Sequence, residues 1–440
     1  MARIEPTDIP SALIARYAAT PARQGSERVF ATPRSISARE YADALPRTSA
    51  SNDEPVSLYV HLPFCPVRCL NCDNNTTITH SACEIDRYLD ALDREMALLA
   101  GHIGEGHQVA QLHMGGGSPN YLTEPQLLRL VDILERHFAI DEYTESSLEA
   151  NPKRTSSSQL DLLHGLGFRR VNFAVRDVDP GVQHAIGRVQ SLEMIDDAFC
   201  SAREAGFDTI SMDLMYGLPC QTTDSIQRTV EDVLALGPDR VSCFSYTRQP
   251  DRFVHQRAIE PSQMPSLADK LSLFSTIVDG LTDASYTWVG LDCFAKADDP
   301  LCEAQAAGQL SRNWMGYTSR PCSSLLGLGT NSISDMQELY VQNFNQISDW
   351  QAALERDELP IMRGVRLDEA SRKRRAAMTQ LMCNMELRDY AALLNSEESS
   401  DGRSSYLSDY ARDGLLTVTP ERVSVTPNGR YLLHHIWGNA

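Results

Sequence analysis

Between residue 56 and about residue 290 the chain alternates short apolar runs with amphipathic ones, and this rhythm limits the fold more than any other feature. VSLYVHL predicts a strand, and ACEIDRYLDALDREMALLAGHI predicts a helix, with apolar residues three or four apart. VAQLHM predicts a strand that runs into Gly115, Gly116 and Gly117, followed by the helix EPQLLRLVDILERHF. The pairing recurs as SSLEA with SQLDLLHGL, RRVNFAV with MIDDAFCSAREAG, DTISMDLMYG with SIQRTVEDVLAL, and RVSCFSY with LADKLSLFSTIVDGLTDA, before a last strand in YTWVGL. Strands that are each followed by a crossing helix end up parallel, so the expected class is α/β with a mainly parallel sheet. The pattern alone does not choose between an open sheet and a barrel. Both place their sites at the C-terminal ends of the strands, where the polar candidates of this chain fall.

The rhythm divides the chain into three expected parts. Residues 1–54 read as an N-terminal arm, with a short helix in SALIARYAAT and then polar Arg-, Pro- and Ser-rich material. Residues 55–364 hold the strand–helix units and their extension. Residues 365–440 read as a small helical domain, with helices at 368–386, 388–396 and 404–413, two short strands in LLTVTPERVSVTP and a last helix in GRYLLHHIW. A helical domain with a wing also suits DNA. The chain, however, has 40 Lys and Arg against 59 Asp and Glu, a net charge of −19, so nucleic acid is not the expected partner and a packing or lid role is. No run of 18 apolar residues is present, so no membrane span is predicted. The first residues lack a basic segment before an apolar core, which predicts a cytoplasmic protein without a signal peptide.

Four of the 11 cysteines, Cys65, Cys69, Cys72 and Cys83, fall close together. In a reducing compartment such a group reads as a metal or redox site rather than as disulfides. Three thiolates on one short loop after a strand can each reach a different iron of an iron–sulfur cube and leave the fourth iron open. Structural zinc is the other reading. It needs four tetrahedral ligands, and the fourth would have to be Cys83, His61 or His80.

The blocks YVHLPFCPVRCLNC, HMGGGSPNYL, SLEANP, MDLMYGLP and GLDCFAKADD, in that order, resemble the radical S-adenosylmethionine (SAM) superfamily, and within it the oxygen-independent coproporphyrinogen III oxidase family and its paralogues. The likeness runs from about residue 56 to the end. It implies a partial (β/α)6 barrel with an N-terminal arm and a small, mainly helical C-terminal domain. It also implies a 4Fe–4S cluster on Cys65, Cys69 and Cys72, whose open iron takes the amino and carboxylate groups of SAM. In the oxidase, reductive cleavage of SAM gives a 5′-deoxyadenosyl radical. That radical takes a hydrogen from the β-carbon of a propionate, and loss of carbon dioxide leaves a vinyl group. The resemblance places Tyr59 beside the sulfonium, where an aromatic face suits a cation. Phe64 shields the cluster from water. Gly115, Gly116, Gly117 and Ser118 border the methionine amine. Glu149 and Asp213 contact polar atoms of SAM, and Arg188 pairs with its carboxylate. A carboxylated tetrapyrrole substrate, an electron donor such as flavodoxin or ferredoxin, and a monomer are the implied partners and state.

Several positions depart from the family pattern, among them Gly187, where Asn is usual before the Arg, and three others lie near the chemistry. Asn74 stands where a further cysteine, outside the cluster ligands, is usual. Arg176 replaces a glutamine that touches SAM, and such a fixed charge must find its own anion. Met315, in Trp314-Met315-Gly316-Tyr317-Thr318, replaces a glutamine near a second bound SAM. These changes leave open a paralogue that transfers a methyl or methylene group or uses another substrate, and a haem-binding chaperone. Arg34, Arg248, Arg312 and Arg320 are candidates for the substrate carboxylates.

Overall fold

The computed structural model describes residues 13, 30, 36–49, 54–388 and 405–432. Six strands follow the expected rhythm: β1 (Val56–Leu62), β2 (His107–Gly116), β3 (Glu145–Ala150), β4 (Arg170–Arg176), β5 (Thr209–Tyr216) and β6 (Arg240–Ser245). Each lies parallel to the next in chain order, with Leu58 opposite Leu112, Met114 opposite Leu148, Leu148 opposite Val171, Val171 opposite Ile210 and Met212 opposite Val241. The crossing helices are α1 (Ala82–Ile103), α2 (Glu124–His137), α3 (Ser157–Gly165), α4 (Leu192–Ala205), α5 (Thr223–Leu236) and α6 (Leu267–Asp283). Side-chain caps start five of them: Ser81, Ser156, Ser191, Thr222 and Ser266 each accept a backbone N–H from the first turn.

The strands show why this is a partial barrel. In β4 the apolar residues Val171, Phe173 and Val175 are buried, while Arg170, Asn172, Ala174 and Arg176 alternate with them and stay partly exposed. The same period of two runs through β3, with Glu145, Ser147 and Glu149 on one face. The apolar face belongs to the core under the helices. The polar face, with side chains from β2 to β6, encloses a cavity of about 180 Å³.

The sheet continues beyond the rhythm at both edges. Ser324–Leu328 lies parallel to β1, and Ile333–Met336, Leu339–Asn343 and Ile361–Arg366 follow in antiparallel order. At the other edge Cys293–Ala295 pairs antiparallel with β6, and Thr287–Val289, from the expected strand YTWVGL, pairs with it in turn. A hairpin of Ser311–Asn313 and Gly316–Thr318 folds back inside the barrel.

The segment expected to be a polar arm contains a helix, Ala38–Ser49. Tyr41 and Leu45, one turn apart, are buried in the core, and the Tyr41 hydroxyl donates to Ser334 Oγ at 3.1 Å. The C-terminal part has α7 (Glu369–Asn384), a helix Ser405–Arg412, and a sheet of three strands instead of the two expected. Glu386–Arg388 adds the third, pairing with Arg422–Val425, which also pairs with Leu416–Val418. Arg430 fastens this part to the barrel edge. It donates to the carbonyls of Trp288 and Gly290, and its guanidinium lies 4.0 Å from the Trp288 ring centre. Its pKa is pushed down to about 10 by burial. SALIARYAAT apart from Leu13, Arg34, most of 388–396 and the last eight residues lie outside the described residues.

Candidate active site at the barrel mouth

The three cysteines lie on the loop that leaves the C-terminal end of β1. This loop is held closed at its base: Phe64–Cys65 pairs parallel with Thr77–Ile78, and the Thr77 N–H donates to the Pro63 carbonyl at 2.7 Å. Further bonds fix its crest. The Leu70 N–H donates to the Ile186 carbonyl at 2.8 Å, and the Cys72 carbonyl accepts from Gln256 Nε2 at 3.3 Å and lies 2.7 Å from His255 Nε2. All three thiols are free and partly buried. Burial pushes Cys65 up to about 11 and raises Cys72, and the neighbouring thiols add to both shifts. Thiols held close together in a desolvated pocket become thiolates when a metal takes the proton's place.

Among the described residues, no three His, Cys, Asp or Glu side chains form a ready-made cage for one metal ion. The candidates for a fourth zinc ligand are also elsewhere. Cys83 is exposed at the start of α1, the His61 nitrogens lie 3.2 Å from the Tyr59 hydroxyl and 3.1 Å from the Asn75 carbonyl, and His80 Nδ1 lies 3.4 Å from the Tyr121 hydroxyl. Three thiolates on one loop, with no fourth, fit a cube in which each reaches a different iron.

The glycine run closes the mouth beside them. Gly116 has φ +106, and a Cβ there would lie 2.4 Å from the His61 ring; at Gly117 it would meet the backbone of Leu62, Pro63 and Phe64 at 2.7–2.8 Å. The glycines are therefore required by the approach of β1 and β2 as well as by any ligand. Ser118 continues the contact, with Oγ 3.6 Å from Cys65 Sγ. Phe64, expected to cover the cluster, instead turns its ring into the core, edge-on to Tyr88 at 5.1 Å.

Glu149, at the end of β3, accepts the Gly116 N–H at 3.2 Å and lies 3.7 Å from His113 Nε2. Burial raises its carboxyl, but His113, the charge of Arg176 and the Gly116 amide outweigh this and hold it below the usual value. Tyr59 stacks on His113 with ring centres 6.0 Å apart. Arg176 finds the anion it needs: its NH1 donates to Asp213 Oδ2 at 3.0 Å. Its backbone is at φ +81, where the register of β4 against β5 shifts. Burial raises the Asp213 carboxyl, with Arg176 pulling the other way. Arg188 donates to Cys69 Sγ at 3.4 Å and to the Ala174 carbonyl, and its buried Nε has no hydrogen-bond partner.

Asn74 Nδ2 donates to the Gly116 carbonyl at 2.9 Å, so it ties the cysteine loop to the glycine run. Met315 lines the barrel cavity with His113, Glu149, Asn172 and Asp213. Of the arginine candidates, Arg248 stands at the mouth and donates to the Gln256 and Ile259 carbonyls. Arg320 bonds the Tyr143 carbonyl ahead of β3, at the closed end, and Arg312 stacks on Tyr317 at 5.2 Å. His113, and His61 as a partner of Tyr59, are site residues that the motifs do not single out. Their signal is the period of two: Tyr59 with His61, and His113 with Gly115, alternate with buried apolar residues.

This mouth, with a thiolate loop after the first strand of a partial barrel, is the arrangement of a radical SAM protein, and the Radical SAM superfamily model matches residues 59–233. The likeness extends further. The oxygen-independent coproporphyrinogen III oxidase of Pseudomonas aeruginosa is 38% identical over 398 residues, covering 89% of this chain and 86% of that protein. The enzyme of the same name from Escherichia coli is 36% identical over 389 residues, covering 87% of this chain and 85% of its own. A solved structure of the Escherichia coli coproporphyrinogen III oxidase, a radical SAM enzyme, superposes with a TM-score of 0.86 and 34% identity over 98% of both chains. The chain belongs to the oxygen-independent coproporphyrinogen III oxidase family, whose cofactors are a 4Fe–4S cluster and SAM.

Proposed function

We propose that this protein decarboxylates two propionates of coproporphyrinogen III to vinyl groups without oxygen, giving protoporphyrinogen IX. The observation that carries the reading is the end-to-end correspondence with the Escherichia coli enzyme. It includes the hairpin that carries Met315 and the C-terminal part as well as the cofactor end. When bound, the cluster supplies an electron and SAM the organic radical that takes a hydrogen. Each propionate loses one hydrogen atom from its β-carbon and its carboxylate as carbon dioxide, and one electron passes to an acceptor.

The residues divide this work. Cys65, Cys69 and Cys72 would hold the cluster, and Arg188 donates to the Cys69 sulfur while its free Nε is placed for a carboxylate. Gly115, Gly116, Gly117 and Ser118 form the narrow edge beside the cysteine loop. Glu149 is kept ionised and accepts polar hydrogens of SAM, and Tyr59 presents a ring that His113 holds in place. Arg176 neutralises Asp213 and fixes the floor of the site, and Met315 gives the reaction cavity an apolar wall. Residues 55–364 act as the catalytic barrel, with the helix Ala38–Ser49 packed on it, and 365–440 as a packing or lid domain. A cytoplasmic monomer reduced by a flavodoxin or ferredoxin completes the reading.

The test is an anaerobic assay of reduced, cluster-loaded protein with SAM and coproporphyrinogen III, read by mass spectrometry. Loss of two carboxyl groups, with methionine and 5′-deoxyadenosine formed, is expected. SAM cleavage without decarboxylation, or S-adenosylhomocysteine with a heavier product, would overturn the reading.

A further inference from the structure

A second cavity, larger than the one inside the barrel, lies away from the mouth. About 480 Å³ of open space lies at the closed end, between the hairpin of Ser311–Thr318, the start of Ser324–Leu328 and α7. Its position is fixed by register: Leu325, in its lining, pairs with Ser57 at the beginning of β1, whereas the cysteines follow the end of that strand. Asn313 and Thr318 line both this cavity and the barrel interior, so the hairpin is the partition between them.

The lining is basic in a chain of net charge −19: Arg312, Arg372 and Arg375 face it, with Asp335 as its one carboxylate. Two of these cations have work already. Arg375 pairs with Asp335 at 2.7 Å and stacks over Tyr340, and Arg372 NH1 reaches Glu338 at 3.1 Å. Arg312 differs. Its side chain lies over the Tyr317 ring, and among the described residues no carboxylate lies within ion-pair distance of it. The Nε atoms of Arg312 and Arg372 are buried without a hydrogen-bond partner, and so is the acceptor Asn384 Oδ1. Buried polar atoms are rarely left unpaired, and three around one cavity point to a ligand. Two unpaired donors ask for carboxylates, and the unpaired acceptor asks for an N–H or O–H on the same ligand. The space is of the size that holds a small organic molecule.

We propose that this cavity is a second site for the carboxylated tetrapyrrole, gripping one edge of it, with propionates on Arg312 and Arg372 and the O–H of a protonated propionate or of a bridging water toward Asn384. The identity of the ligand rests on the function proposed above. A ring compound whose two propionates react in turn can be held here, across the hairpin from the reaction cavity.

The test is equilibrium binding of coproporphyrin III, the stable oxidised ring, to the full-length, cluster-loaded protein, followed by fluorescence quenching. Arg312→Gln removes the unpaired cation, and Gln380→Glu sets a negative charge in the lining without disturbing any ion pair of the closed end. Iron content and thermal midpoint report folding. Wild-type protein is expected to bind two porphyrins, with one class weakened at least tenfold in both variants and displaced by salt. A single class of site, or two classes unchanged in both variants, would overturn the proposal. Turnover of coproporphyrinogen III with unchanged binding removes the second site and keeps the reaction. Two-site binding lost in both variants, without turnover, removes the reaction and keeps a carboxylate site.

Discussion

At the closed end of the barrel, Arg240 and Asp299 are both almost fully buried and pair at 2.6 Å, Arg170 pairs with Glu145, and Asp239 takes both Arg203 and Lys296. At the mouth, the other end of the same β-strands, the groups are held differently. Sulfur atoms, backbone amides and short side chains fix one another there, and Arg176 with Asp213 is the one strong ion pair among the described mouth residues. Charges that satisfy each other stabilise a fold only if both partners stay, because a buried ion left alone is costly. Groups that wait for a ligand must instead be held by neutral bonds. The buried ion pairs of the closed end should therefore fail as a fold when they are broken, and the mouth should fail as a site.

The largest effect expected is at the mouth. Changing any one of Cys65, Cys69 or Cys72 to Ser should abolish the 4Fe–4S cluster, counted as iron and sulfide after anaerobic reconstitution, while the thermal midpoint of the cluster-free protein moves little. Cys83→Ser should keep the cluster. Loss of the cluster in that variant would place a fourth ligand on α1 and undo the assignment.

The closed end gives the second effect. Asp299→Ala removes the partner of Arg240 and also the cap that accepts the Leu301 N–H at 2.8 Å. Stability should fall by about 3–5 kcal/mol, the usual cost of stranding a buried charge, read by urea denaturation. Iron incorporation per folded molecule should not change. A loss below about 1 kcal/mol would mean that this pair is solvated like a surface one, and the contrast between the two ends would go with it.

How much of this is legible in the sequence follows from the range of the forces involved. The six strand–helix units and the cysteine loop are local signals: period, caps and spacing act between near neighbours in the chain, and the bounds of α1 match the expected helix. The antiparallel extension is not legible. Its strands have four to six residues, and one is specified by contact instead of pattern: at Gly327 a Cβ would lie 2.7 Å from the Ile333 carbonyl. The helix Ala38–Ser49 is hidden by its polar composition, because among its described residues Tyr41 and Leu45 are the two large apolar side chains that anchor it. In the site, charge alone shows that Arg176 needs an anion. That the anion is Asp213, itself expected to contact SAM, takes the register of β4 against β5.

A third effect depends on pH and lies in the wall behind the mouth. Glu95 of α1 is buried and accepts from the Gly329 N–H, Asn343 Nδ2 and Trp350 Nε1. Burial outweighs these donors and pushes its carboxyl up to about 7 from an ordinary 4.5. A carboxyl raised in the folded state favours folding most below its unfolded value. That contribution is lost as the pH rises from about 4.5 through 7. Each tenfold change in proton affinity between the two states is worth about 1.4 kcal/mol, so a few kcal/mol should disappear across this window. Glu95→Gln, which cannot ionise, should flatten the denaturation-against-pH curve there. A curve of unchanged slope would show that Glu95 ionises in the folded protein as it does in the unfolded one.

The smallest effect tests the mouth at its most delicate bond. Asn74 is the residue that departs from the family beside the cluster loop, and its amide donates to the Gly116 carbonyl at 2.9 Å. That single neutral bond joins the segment after Cys72 to the glycine run, whose φ of +106 at Gly116 excludes a larger residue there. Asn74→Ala should cost about 1 kcal/mol, the net worth of one such hydrogen bond, and so leave the fold intact. Its effect on the site should be separate. With the tie gone, Cys72 and Gly116 are no longer held at a fixed distance, and SAM binding should weaken several-fold while the iron content stays full. Asn74→Asp is the sharper control, because it keeps the size but loses the donor and sets a carboxylate against a carbonyl oxygen. It should weaken SAM binding more than alanine does. If both variants bind SAM as the wild type does, Asn74 is filler where relatives carry another residue, and the mouth is held by the loop's other bonds, at Thr77, Leu70 and the Cys72 carbonyl.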